Sequence, residues 1–257
     1  MYNQKSFIAL QSIIHKEITR YFRIWVQTLL PPAITMTLYF VIFGRLIGAR
    51  VGDMEGVSYI EYITPGLIMM SVITNSYSNV VSSFYSAKYQ RNIEEMLVSP
   101  MPVLFILLGY VLGGASRGLL TGIVVTLVAF QFVDIDIANW FVVFSVVFLT
   151  SILFATAGLV NAIFAKSFDD ISIVPTFILT PLTYLGGVFY SINMLPDFWQ
   201  SISLANPILY MVNAFRYGFL GFSDINIVTA FMVVSVFIIS LFSLAYYLLL
   251  KGIGIKS

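Results

Sequence analysis

A chain of 257 residues that is 59% apolar and only 10% charged cannot coat a water-facing globule of its size, because a soluble domain carries roughly a quarter charged residues. With a mean hydropathy of +0.94, most of its surface must be solvated by lipid, while a formal charge of +1 argues against a general nucleic-acid role. The absence of cysteine and the single histidine, His15, exclude a disulfide framework, a thiolate metal site and a histidine cluster.

An all-α integral membrane protein follows. Residues 1–257 read as one transmembrane unit, since no polar linker, low-complexity tract or clear repeat divides them. The N-terminal segment, 1–24, is no cleavable signal peptide: Lys5, Lys16, Glu17, Arg20 and Arg23 interrupt any apolar core. Phe7, Leu10, Ile14, Ile18, Tyr21 and Trp25 recur there at steps of three or four. Gln11, Lys16, Glu17, Thr19, Arg20 and Arg23 fall mainly on the other side. The pattern predicts an amphipathic helix in the inner interface, apolar face to lipid, serving as an anchor or as a contact for a partner.

Crossing ~30 Å of hydrocarbon takes ~20 mostly apolar residues. Six stretches qualify: Trp25–Phe43, Tyr62–Phe84, Val103–Phe132, Trp140–Phe164, Ile171–Phe189 and Ile227–Leu250. Lys and Arg set the orientation. With the N-terminus cytoplasmic, the inside segments hold Lys5, Lys16, Arg20, Arg23, Lys88, Arg91, Lys166, Lys251 and Lys256; the outside ones hold only Arg45, Arg50 and Arg216. Both termini are therefore expected in the cytoplasm. Residues 86–102 form an inner loop of mixed charge. The segment 190–226 is aromatic-rich but broken by Pro196, Asp197, Pro207 and Arg216, which predicts short re-entrant helices in the outer leaflet. Pro31-Pro32, Pro175 and Pro181 invite kinks in the first and fifth spans.

The chemistry of an enzyme is missing. The twelve acidic residues fall in loops or at span edges, which weakens a proton- or sodium-coupled secondary transporter. The nearest string to a phosphate-binding loop, Ala165-Lys166-Ser167, lacks the glycines whose open backbone would cradle phosphate. His15 sits on the surface helix, away from any serine pocket. No catalytic residue and no metal site is expected. Arg117, in Gly113-Gly114-Ala115-Ser116-Arg117-Gly118, is the one charge read deep in a span. It either meets an anionic headgroup or a partner helix, or it snorkels. The small residues around it favour close helix contact.

Two regions resemble the permease subunits of type-2 ATP-binding-cassette exporters. The first runs from Leu179 to Arg216: Leu179, Leu182, Leu185, Gly186, Val188, Leu195-Pro196, Pro207-Ile208-Leu209-Tyr210 and Arg216 match the family's spaced pattern. The second, Tyr89 to Pro100, is similar to the family's coupling segment. By itself it reads as a solvated loop; the resemblance makes it a short helix docking on an ATPase through Arg91, Glu94, Glu95, Met96, Leu97 and Pro100. The likeness covers essentially the whole chain. Stretches such as Ala165–Asp170 and Leu185–Tyr190 look closest to an enterobacterial subgroup.

The resemblance implies a homodimer in a bacterial inner membrane, joined by two copies of a separate ATPase that carries the ATP and magnesium. No cofactor is implied on this chain, and no nucleic acid among its partners beside the membrane lipids. Family substrates are lipids, glycolipids, polysaccharides and hydrophobic drugs. Arg117, Tyr184, Phe189 and Tyr190 are candidates for a substrate path or dimer seam. A secondary transporter or channel, and a non-transporting scaffold subunit, are the competing readings; inverted repeats or a mid-membrane carboxylate would mark the transporter or channel.

Overall fold

The computed structural model describes residues 2–134 and 136–255, the side chains of residues 2–5 and of Arg45 excepted. Lys256 and Ser257, and the side chains of Lys5 and Arg45, therefore lie outside the described residues, although the charge count used them. Helix α1 spans Tyr2–Arg23 and breaks at Ile24. The first long apolar helix, α2 (Trp25–Val51), is interrupted. It restarts at Leu30 with Pro31 and Pro32 in its first turn, where a missing N–H costs nothing, and widens to π-helical turns over Phe40–Ile47. A two-residue hairpin pairs β1 (Asp53–Met54) with β2 (Val57–Ser58), turning on Glu55 and Gly56 at positive φ.

Helix α3 (Tyr59–Tyr89) has 31 residues, and its start is fixed by Glu61, whose Oε2 accepts the Ser58 N–H at 2.8 Å. A short helix α4 (Asn92–Val98) precedes two long ones, α5 (Val103–Ala129) and α6 (Trp140–Phe164). Helix α7 (Asp170–Leu185) carries π-helical turns over Pro175–Leu179; Thr180 Oγ1 donates to the Pro175 carbonyl at 2.9 Å. Then come α8 (Asp197–Leu204), α9 (Pro207–Leu220) and α10 (Ile227–Lys251). Asn139, Asn206 and Asn226 cap α6, α9 and α10 with side-chain carbonyls, satisfying N–H groups that lack helical partners.

Among the described residues, four helices are long and apolar enough to cross a membrane: α2, α5, α6 and α10. The predicted second span falls on α3, ample in length but laced with Ser, Asn and Thr; the predicted fifth falls on α7, which is short.

Helix α3 is the axle of the bundle. It is packed between α5 and α6, and α9 and α10 close over α6. Small residues permit the approach, as they do where helices meet in lipid. A Cβ on Gly158 of α6 would stand 2.6 Å from the Tyr77 carbonyl, and one on Gly118 of α5 would strike Ser76 Oγ.

Helix α1 is more than a surface anchor: it packs along α5. A Cβ on Gly109 or Gly113 would lie 2.6 Å from Ile13 Cγ2 or 2.5 Å from Glu17 Cβ. Its buried side is Ser6, Ile13, Glu17 and Tyr21, whereas Phe7, Phe22 and Trp25 are exposed. Glu17, expected on the water-facing side, is instead fully buried, because two glycines on α5 open the groove that receives it.

Candidate functional site

The coupling candidate is built from Arg91 onward. Arg91, at φ 62°, turns the chain out of α3 and into α4. Ile93 is buried; Met96 and Leu97 are half-buried against the core. Met96 and Leu97 are thus less open to water than the reading of this stretch as a solvated loop implies. A seven-residue helix has too few internal hydrogen bonds to hold itself, so its apolar positions anchor it. Glu94, Glu95 and Val98 face out, Val98 at 88% exposure, and Pro100 follows the end of the helix. Glu94, Leu97 and Val98 form one wall of a groove of about 380 Å³ whose other wall is the end of α10, with Leu249, Gly252 and Ile255.

The base of this segment is clamped. Lys88 Nζ donates to the carbonyls of Ile163 at 2.6 Å and Ala165 at 2.8 Å, a cation closing the C-terminal end of α6. Phe168 packs edge-on to Tyr85 with ring centroids 4.8 Å apart, and lies 5.3 Å from Tyr89. Asp170 accepts from the Lys166 N–H at 2.8 Å and the Ser167 N–H at 3.1 Å; the Lys166 hydrogen bond foremost holds its carboxyl below the ordinary range.

The residues Leu195, Pro196, Pro207, Tyr210 and Arg216 are not joined to one another by any described contact; each pins its own piece of chain. Pro207 opens α9 behind the Asn206 cap, and Asn206 Nδ2 donates to the Leu182 carbonyl at 2.6 Å, tying α9 to α7. Tyr210 donates to the Leu204 carbonyl at 2.8 Å, and Leu195-Pro196 turns the chain into α8. Arg216 is not an outer-loop charge, as its place between the spans suggested. It is fully buried, donating to the Gly187 carbonyl at 2.6 Å, lying 3.8 Å from Asp224 and 4.0 Å over the ring of Tyr62. Asp224 also accepts from the Ile192 N–H at 3.1 Å and from Tyr62 at 3.4 Å.

Tyr184, Phe189 and Tyr190 do meet. Tyr190 donates to the Tyr184 carbonyl at 2.9 Å, and the Tyr184 and Phe189 rings stack at 5.8 Å. Phe189 also contacts Phe43 at 5.0 Å and Tyr39 at 6.0 Å, so α2 and α7 share one aromatic cluster. Arg117 is not joined to it. Its Nη2 donates to Asn75 Oδ1 on α3 at 3.0 Å.

Beside Arg117 lies a group that sequence reasoning missed. Ser83 donates to Glu17 Oε1; Arg20 Nη2 donates to Glu17 Oε2 at 3.2 Å, to Asn79 Oδ1 at 2.8 Å and to the Asn79 carbonyl at 2.9 Å. The signal was present as Asn75, Asn79 and Ser83 at steps of four along α3, and as Gly109 and Gly113 at the same step along α5, facing Ile13 and Glu17 of α1.

Long apolar helices around a polar-laced axle, with the ion pairs Glu17–Arg20 and Arg216–Asp224 packed between helices, define a polytopic α-helical membrane protein. The ABC-2 type transporter family matches residues 8–220, and the chain belongs to that family. It is 59% identical over 251 residues to the inner membrane transport permease YadH of Escherichia coli (strain K12), covering 98% of each chain. It is 25% identical over 185 residues to nodulation protein J of Rhizobium meliloti (strain 1021), covering 72% of this chain and 71% of that one. To nodulation protein J of Sinorhizobium fredii (strain NBRC 101917 / NGR234) it is 28% identical over 174 residues, covering 66% and 65%.

Proposed function

We propose that this chain is the membrane-spanning permease subunit of an exporter driven by ATP hydrolysis on another chain, in a bacterial inner membrane. It crosses six times, α3 and α7 adding to the four apolar helices, with both termini cytoplasmic and α8 and α9 re-entrant from the outside. Two copies assemble with two copies of an ATPase, which hold ATP and magnesium. Substrate, a lipid, glycolipid, polysaccharide or hydrophobic drug-like molecule, passes along the seam between copies. Arg117 and the Tyr184, Phe189 and Tyr190 cluster border that path.

The observation that carries the reading is family membership together with α4: a short helix held by Ile93, Met96 and Leu97, presenting Glu94, Glu95 and Val98 outward. The clamp of Lys88 onto α6 supports a lever role, because a push on α4 reaches two long helices at once. A relative at 59% identity bearing the name of an inner membrane transport permease supports the location. The exposed apolar faces of α2 (Leu38, Leu46) and α7 (Phe177, Ile178) suit a seam or lipid.

The test is purification of the tagged permease in mild detergent, followed by ATP turnover in proteoliposomes against a panel of the cell's own lipids and glycans. A stoichiometric ATPase chain whose turnover rises with one substrate is the expected result. A permease that purifies alone and moves solute without ATP would refute the proposal.

A further inference from the structure

We infer that the seam between α1, α3 and α5 is a binding site for the phosphate of an anionic inner-leaflet lipid. Two guanidiniums, Arg117 and Arg20, meet there against one carboxylate, with the exposed Lys16 at the edge. Glu17 is satisfied by Ser83 and Arg20. Among the described residues, Arg117 has no carboxylate within ion-pair distance, and it donates a hydrogen bond to the neutral Asn75. Lys16 lies 5.5 Å from the ring centroid of Tyr110 on α5. Asn75 and Asn79, one turn apart on α3, place the guanidiniums of Arg117 and Arg20 side by side. The Nε atoms of both arginines are buried without a partner, while both side chains stay part-exposed.

An uncompensated guanidinium drawn out of water is costly, and what it donates to best is a pair of oxygens on one group. A phosphodiester supplies two such oxygens and the missing negative charge at once. The surroundings decide between a lipid and a soluble anion. Tyr21, which shares a hydrogen bond with Ser116 beside Arg117, packs against Phe22 at 5.0 Å, and Phe22 and Trp25 are half exposed. A phosphate there arrives with apolar surface next to it, where acyl chains lie and free phosphate gains nothing.

The inference rests on the proposed function in placing Arg117 beside the substrate path, but its test reads lipid binding rather than transport, so its failure leaves the exporter reading standing. The full chain, delipidated in dodecyl maltoside, is titrated with dioleoyl phosphatidylglycerol, dioleoyl phosphatidylcholine or inorganic phosphate while its thermal unfolding is followed. Phosphatidylglycerol alone should raise the midpoint in a saturable way. Arg117→Leu should weaken that response on the order of ten- to a hundredfold, the loss of one charged hydrogen bond. Arg117→Lys should retain part of it. Asn75→Asp guards against a variant that fails to fold: it supplies an internal counter-ion, so it should raise the lipid-free midpoint and abolish the phosphatidylglycerol response. An equal response to phosphatidylcholine, an equal response to inorganic phosphate, or an undiminished response in Asn75→Asp would each overturn the inference.

Discussion

Removing Arg216 tests whether the end of the bundle that carries α8 and α9 hangs on one buried charge. Its guanidinium joins three separate pieces of chain: the turn after α7 at Gly187, the residue Tyr62 in α3, and Asp224 before α10. Arg216→Met keeps most of the volume and leaves Asp224 buried with only the Ile192 N–H and the Tyr62 hydroxyl. Breaking one side of a buried pair costs about 3–5 kcal/mol. For a chain of this length that is a fall in unfolding midpoint of roughly 6–20 °C. Asp224→Asn should cost less, because Arg216 keeps the Gly187 carbonyl and the ring. The double variant should be more stable than Arg216→Met alone, since no unpaired carboxylate remains. The assay is thermal unfolding of the purified permease in detergent, read by tryptophan fluorescence. If Arg216→Met melts with the parent, or the double variant is worse than the sum of the singles, the buried-pair reasoning is wrong.

Gly113→Ala places a methyl against Glu17 Cβ and should cost ~1–3 kcal/mol of overpacking, seen as faster proteolysis of residues 1–24 while the spans stay folded. An unchanged cleavage rate would show that α1 is not held in that groove. Glu94→Ala with Glu95→Ala, or Val98→Asp, should weaken ATPase pull-down without lowering expression, because these side chains are exposed; Leu97→Asp should instead lower expression, because Leu97 packs on the core. Normal pull-down from the Val98→Asp variant would dismiss the docking role. Asp53→Cys should label in intact cells with an impermeant reagent and Ser257→Cys should not, as the Lys and Arg distribution requires; the reverse pattern would invert the topology.

The helical class and most long elements were legible because lipid imposes composition. The predicted Trp140–Phe164 span has the bounds of α6, and Ile227–Leu250 those of α10 within a residue. The axle was harder to read. Tyr62–Phe84 was taken as an ordinary apolar span, yet α3 is buried by protein rather than lipid, so it can carry Asn75 and Asn79. Charges misled wherever a partner lay far along the chain. Glu17 sits at the border of the polar stripe on α1, and only Gly113 and Ser83 reveal that this border is an interior. Arg216 was picked out by spacing, but its burial depends on Asp224, a residue that looked like loop. Met96 and Leu97 were misjudged because a charged heptapeptide gives no hint of which face the bundle will claim.

The burial of Glu17 also has a consequence for biogenesis. Its hydroxyl partner, Ser83, lies 66 residues further along, and Gly113 comes later still. While only the first span has left the ribosome, the Glu17 carboxylate and the Arg20 guanidinium on α1 have nothing to pack against and stay in the aqueous headgroup layer. The segment made first is thus obliged to dock late, after the helix at Val103–Ala129 has entered the bilayer. Until then the glycine groove at 109 and 113 stands open, and its filling by α1 marks the moment at which α1, α3 and α5 have become one body.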